Sequence, residues 1–242
     1  MSKFFFKSEN QKGNIVTFTG KIAHHIAHVQ RLKIGQEIIL CDGNCTDFYA
    51  RIVCITKNPI SVSFTLSSSS LSTTEASIPI TLFQGIPKGD KMEWIIEKSV
   101  ELGVNKIVPV YMSRSVPKVK DSSTKNERFN RISEAAASQS MRGIVPEVSI
   151  PQSFADAISN FNENNLWLVA YENEKKSSLK SIAINDRAIS IWVGPEGGFD
   201  DYEISTLISR GAIPFSLGPR ILRTETAGIA AIAKIMYILE GH

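Results

Sequence analysis

Two hydrophobic rhythms divide the chain. Up to residue 66 the apolar positions come in short runs of period-two character, and Ile15–Phe18, Glu37–Cys41, Phe48–Ile55 and Ser61–Leu66 predict strands. Gly35 and the Asp42-Gly43 pair supply turn chemistry between them, and His24–Leu32 predicts the one helical piece. A series of short strands of this size predicts a small β-barrel. Ser67–Thr74 (SSSSLSTT) has little to bury and predicts a linker, so the expected domains are residues 1–70 and 75–242. Beyond it, strand and helix patterns alternate. Ile80–Gln84, Lys106–Tyr111, Leu166–Tyr171, Ile189–Val193 and Pro214–Leu217 predict strands. Helices are expected from the Asp90 cap to Leu102 with Gly103 ending it, and over Asn126–Ser140, Tyr202–Ser209 and Thr224–Leu239. Alternating βα units imply an α/β fold with a mostly parallel sheet covered on both faces.

Composition changes this picture little. The 242 residues are 43% hydrophobic and 21% charged, ordinary for a globular chain. No apolar stretch is long enough for a membrane span, and the N-terminal apolar run of Phe4-Phe5-Phe6 is too short for a secretory segment. Cys41, Cys45 and Cys54 are too few for a disulfide framework and point to a reducing, cytoplasmic setting. Cys41 and Cys45, with His24, His25 and His28 nearby in sequence, have a spacing that could serve zinc. No second Cys pair follows, so structural cysteines and no metal are expected. Charge is unevenly spread: residues 1–70 hold eight Lys/Arg against four Asp/Glu, and the rest nineteen against twenty. A basic first segment suits contact with a polyanion, although an ordinary solvated face would look the same.

Two segments carry the chemistry. Gly194-Pro195-Glu196-Gly197-Gly198 follows an apolar strand and precedes a helix, where ligands bind in parallel sheets. Its glycines allow close approach of backbone to a ligand, but it is neither a Walker A loop nor GxGxxG, and a plain βα turn would read the same. In Leu217–Ala227 (LGPRILRTETA), Gly218-Pro219 turns the chain, Arg220 and Arg223 bracket Ile221-Leu222, and Thr224 is placed to cap the last helix with Glu225 and Thr226 in its first turn. Two arginines around an apolar pair beside a helix start suit an anionic group.

Together these segments resemble the RsmE family of the SPOUT superfamily, enzymes that methylate N3 of one uridine in 16S ribosomal RNA. The resemblance covers nearly the whole chain. Lys88–Val116 (KGDKMEWIIEKSVELGVNKIVPVYMSRSV), Glu134–Pro146 (EAAASQSMRGIVP) and His24–Gly43 (HHIAHVQRLKIGQEIILCDG) are similar to family stretches in the same order. The chain departs from the pattern with Gln30 for a usual leucine, Lys3-Phe4-Phe5-Phe6 where the family begins with arginine, and Gly143 where a polar residue is common. Lysine keeps the charge of arginine but not its bidentate fork.

The resemblance implies an N-terminal PUA-like β-barrel and a trefoil-knotted methyltransferase domain acting as a homodimer on 16S ribosomal RNA or the small subunit. It implies S-adenosylmethionine bound between Gly194, Pro195, Glu196, Gly197 and Gly198 and the segment Leu217, Gly218, Ile221 and Leu222, with Thr226 beside them. Leu168, Tyr171 and Glu172 are expected as a third wall. For catalysis Arg223, which lies between the cofactor loop and the final helix, is expected to stabilise the charge on the uracil. Glu225 is a candidate base whose other reading is helix capping or an arginine pair. Lys3, Lys7, Arg31, Arg114, Gln139 and Arg142 are the expected RNA contacts; Lys118, Lys120 and Lys125 stand in a loop that is either basic contact or solvated, and His24 and His25 are expected to be structural. The same class of enzyme on another RNA, or an idle RNA-binding protein, are the alternatives; an ordinary doubly wound nucleotide enzyme lacks a phosphate fingerprint here.

Overall fold

The computed structural model describes residues 2–116, 123–159, 161–185 and 187–241. Lys118 and Lys120 lie outside them. The chain forms two compact units, Met1–Glu75 with Ala137–Val145, and Ala76–Ala136 with Pro146–His242.

The first unit carries six strands: β1 (Lys3–Phe5), β2 (Gln11–Lys12), β3 (Ile15–Thr19), β4 (Glu37–Cys41), β5 (Thr46–Lys57) and β6 (Ile60–Leu71). They form one sheet in the order β1-β4-β5-β6-β3-β2, antiparallel except for β1 beside β4. The predicted helix is a turn of α-helix, α1 (Gly20–His24), running into a π-helical turn, His25–Val29. Phe4, Phe6, Phe18, Ile26, Leu40 and Phe64 form the centre of its core. The expected linker is not one. Ser69, Ser70 and Leu71 continue β6 opposite Phe48, Asp47 and Thr46. Backbone pairing needs no apolar side chain, so a serine tract propagates a strand that its neighbour already templates.

Two charged residues of this unit are buried. The Lys3 side chain is 0% exposed, ion-paired to Asp47 at 2.7 Å and donating to the Met141 carbonyl at 3.2 Å. Arg142 is 2% exposed and holds Glu75 through two hydrogen bonds, Nε to Oε1 at 2.8 Å and Nη2 to Oε2 at 2.5 Å. Burial alone would raise the Glu75 carboxyl, but the Arg142 guanidinium and the Gly143 N–H hold it below its ordinary value. Lys3 and Arg142 are therefore corrected as RNA contacts: both cations are spent inside the unit. Gly143 also has a structural reason, since a Cβ there would lie 2.6 Å from Ser72 Cβ. Burial pushes the Cys41 thiol up to about 12; it is a packing residue, donating to the Gly143 carbonyl at 3.2 Å.

The second unit adds seven strands: β7 (Ile80–Gly85), β8 (Lys106–Tyr111), β9 (Glu147–Val148), β10 (Gln152–Ser153), β11 (Leu166–Ala170), β12 (Ile189–Val193) and β13 (Ile213–Phe215). All pair in parallel in the order β10-β8-β7-β12-β11-β13, with β9 beside β8. The helices are α2 (Lys91–Glu101), α3 (Ser123–Gln139), α4 (Phe154–Ser159), α5 (Asp201–Ser209) and α6 (Thr224–Glu240). Every residue of β11 and β12 is buried, as expected of strands covered on both faces. Phe83 on β7 stacks on its register partner Trp192 on β12 with centroids 4.5 Å apart and an interplanar angle of 4°. Trp167 on β11 extends the stack, 5.3 Å from Phe83. This aromatic layer ties β7 to β12 and β11, the latter two of which lead into the site.

Candidate active site

The carboxyl ends of β12, β11 and β13 open into a cavity of about 530 Å³ in the second unit. A small organic ligand fits such a volume. One wall is Val193–Gly198, leaving β12; a second is Ala170, Tyr171 and Glu172, leaving β11; the third is Ser216–Thr224, leaving β13 and entering α6. Lys91 and Ala227 close the rim.

The loop after β12 is a tight turn, the Gly198 N–H donating to the Pro195 carbonyl at 2.9 Å. Gly198 sits at φ +69°, and a Cβ there would collide with the Glu172 carboxylate. A second hold comes from Thr224. Its hydroxyl donates to the Gly194 carbonyl at 2.6 Å and accepts from Gln84 Nε2 at 2.8 Å. Gln84 is fully buried at the end of β7, so a central strand, the cavity loop and the first turn of α6 meet at one hydroxyl. Thr224 was expected to cap α6; Arg223 occupies the cap position and Thr224 is the first helical residue. Gln84 was not anticipated. A lone amide at the end of an otherwise apolar strand run was its only sequence signal.

Lys91, the first residue of α2, ties the rim together. Its ammonium lies 3.1 Å from Glu196 and 3.3 Å from Glu225. The Glu196 bond, first, and the Glu225 bond raise the Lys91 ammonium above its ordinary value. Burial would raise the Glu196 carboxyl, but its own backbone N–H, the Lys91 ammonium and the Lys88 N–H hold it below the usual range. Glu225 thus pairs with a lysine and not with an arginine. Among the described residues the side chains of Arg220 and Arg223 have no hydrogen-bond or ion-pair partner, and both stand exposed at the cavity wall. The cavity therefore offers backbone-lined glycine turns, an apolar Ile221-Leu222 edge and two unengaged guanidiniums.

Of the expected cofactor residues, Tyr171, Glu172, Gly194–Gly198, Leu217, Gly218, Ile221 and Leu222 line the cavity. Leu168 and Thr226 do not. Leu168 lies inside β11, fully buried two residues before the strand ends. Thr226 points outward, because Thr224 and Ala227, three apart, take the inward face of α6. Arg114 is exposed and donates to the Gly197 carbonyl at 2.9 Å. In the other unit Lys7, Arg31 and Gln139 are exposed. From Asn10 to Gln36 that unit has no acidic residue, and Lys21, His24, His25, His28, Arg31 and Lys33 are all exposed there. His25 also packs edge-on against Phe4, and Arg31 takes a left-handed backbone at φ 54°. Among the described residues no group of three or more His, Cys, Asp or Glu is placed to hold a metal ion, and no helix is long and apolar enough to cross a membrane.

A parallel sheet with a glycine-walled cavity at its strand ends suits an enzyme that binds a small organic ligand. The family model described as an RNA methyltransferase domain matches residues 74–236, and that of an RNA methyltransferase PUA domain matches residues 18–65. The chain is 33% identical to ribosomal RNA small subunit methyltransferase E of Bacillus subtilis, over 99% of this chain and 98% of that one. Its fold matches a ribosomal RNA small subunit methyltransferase E from Neisseria gonorrhoeae solved with S-adenosyl methionine, at TM-score 0.90, 31% identity and 98% coverage of both chains. A methyltransferase from Legionella pneumophila, solved in complex with the cofactor SAM, matches at TM-score 0.87 and 28% identity, covering 98% of this chain and 96% of that one. The chain belongs to the ribosomal RNA small subunit methyltransferase E family.

Proposed function

We propose that this protein transfers the methyl group of S-adenosylmethionine to N3 of a uridine in the 16S RNA of the small ribosomal subunit. The observation that carries the reading is the cavity at the ends of β11, β12 and β13, with glycine turns on one side and an unpaired Arg223 on the other. The residues fit the cofactor. Gly194, Gly197 and Gly198 let the cavity loop pack closely, since a Cβ at each would meet Gly198, Arg114 or Glu172, and Leu222 and Ile221 suit an adenine face. S-adenosylmethionine supplies a methyl group already activated on a sulfonium centre, so the chain's main task is alignment. Thr224 and Lys91 hold the two walls in register. Uracil N3 must lose a proton, which spreads negative charge to the ring oxygens. Arg223, free of protein partners among the described residues, is placed to stabilise that charge. Glu225, held by Lys91, positions that lysine and is not assigned the proton.

RNA is held by Lys7, Arg31, Arg114 and Gln139, with the acid-free segment before Glu37 extending the basic surface. The reading includes a closed PUA-like barrel, a trefoil knot through Leu217–Ala227, and a cytoplasmic homodimer. Tyr237 at 67% exposure and Trp94 at 45% are large apolar side chains that a second copy would cover.

Mass-spectrometric mapping of ribosomal RNA from cells with and without the protein tests the assignment: one methyluridine should vanish, and an unchanged map overturns it. Arg223→Ala should lower methylation at saturating RNA and cofactor by about a hundredfold. Cofactor affinity by calorimetry should stay within about threefold. A rate within about threefold of wild type would remove Arg223 from the chemistry.

A further inference from the structure

Glu203 is a buried carboxylate that the proposed chemistry leaves unused. It closes a capping box at the start of α5: its N–H donates to Asp200 Oδ1 at 2.7 Å, and its Oε2 accepts from the Asp200 N–H at 3.0 Å. A capping box requires nothing more. Here the other oxygen, Oε1, leaves the helix and accepts from the Ser113 N–H at 2.7 Å. One residue further, Arg114 donates to the Gly197 carbonyl at 2.9 Å. A Cβ on Gly197 would lie 2.9 Å from Arg114 Cβ, so the two loops touch with no room for a side chain. The loop after β8 is itself a turn, with the Ser115 N–H donating to the Met112 carbonyl at 2.9 Å. It is thus pinned to the cavity loop at two points, Gly197 through Arg114 and Asp200 through Glu203.

We infer that Glu203 is a positioning residue that couples the two ligands, so that RNA held at Arg114 and cofactor held at Gly194–Gly198 strengthen each other's binding. The inference rests on the reading of these two sites given above. RNA drawing on Arg114 loads Ser113, and Glu203 passes that load to Asp200, two residues from Gly198. A carboxylate accepting two backbone N–H bonds in a buried place is a stiff link, because charge-assisted bonds are the strong ones. Asp200 shares in the cluster: the Glu203 N–H, then Ser113 and Arg114, hold its carboxyl below the usual range. Coupling of this kind is reciprocal, so either ligand reports it.

The test measures the affinity of small ribosomal subunits, purified from cells lacking this protein, without and with saturating S-adenosylhomocysteine, which permits no turnover. The wild type should bind the subunits about tenfold more tightly with the cofactor product present. Glu203→Gln replaces an acceptor with an amide that cannot serve both N–H groups, and the ratio should fall to within about twofold of one. Arg114→Ala cuts the other pin, leaves the capping box intact and should lower the ratio as well; if Glu203→Gln does not fold, Glu203→Asp, which keeps the charge but shortens the reach to Ser113, decides the matter. The double variant removes both pins and should bring the ratio to one. A ratio unchanged in either single variant overturns the inference, as does a wild-type ratio near one with both ligands bound. Failure of the wild type to bind S-adenosylhomocysteine at all would overturn the cofactor reading and the coupling with it.

Discussion

Gly85→Ala is expected to weaken cofactor binding by about a hundredfold, roughly 2.8 kcal/mol. A Cβ on Gly85 would lie 2.5 Å from Pro195 N, 2.6 Å from Pro195 Cδ and 2.9 Å from the Gly194 carbonyl carbon. None of these is the tip of a side chain that could swing aside. Gly85 ends β7, which is paired on one side with β8 and on the other with β12, so the strand cannot retreat. The Gly194-Pro195 turn must move, and that turn is a wall of the cavity. The size agrees with the usual cost of overpacking, about 1–3 kcal/mol, delivered at the binding loop. Calorimetry with S-adenosylmethionine checks it; an affinity within about threefold of wild type would mean that the loop is not held against β7.

Glu75→Gln should cost about 3–5 kcal/mol of stability while leaving the cavity residues untouched. It strips the carboxylate from a guanidinium that is 2% exposed. Denaturant unfolding followed by circular dichroism measures the loss; a cost below about 1 kcal/mol would show that the Arg142 charge finds another buried partner. Acid acts on the same pair. The Glu75 carboxyl is held below its ordinary value of 4.5, so its contribution is fully present above that pH. The contribution is lost as pH falls through the lowered value of the folded state.

Much of the second unit was legible because its signals are local. Apolar runs named the strands from Ile80 to Val193, and Asp90 and Gly103 bounded α2, with Gly103 at φ +101°. The short helix α4 and the paired stubs β9 and β10 escaped notice, being too brief to carry a period. In the first unit the serine tract misled, because strand pairing is decided by the neighbour and not by the tract. The walls of the cavity were legible from their glycines and arginines. Its fastenings were not. Lys91 lies 105 residues from Glu196, and Gln84 lies 140 from Thr224, so nothing in their neighbourhoods marks them as partners. Lys3 and Arg142 show the converse error: a basic residue at a position aligned with a family stretch reads as a contact for RNA, although a half-buried carboxylate of the fold can claim it first.

The return of Ala137–Val145 to the N-terminal unit also bears on how the chain is made. At a synthesis rate of roughly 5–20 residues per second, several seconds separate the emergence of Glu75 from that of Val145. Until then Glu75 lacks its guanidinium, Lys3 lacks the Met141 carbonyl, and the thiol of Cys41 lacks the Gly143 carbonyl. The nascent first unit waits, with an unpaired Glu75 carboxylate, until two strand–helix pairs, β7-α2 and β8-α3, have left the ribosome. Its last ion pair and two of its buried hydrogen bonds therefore form only after much of the other unit has been synthesised.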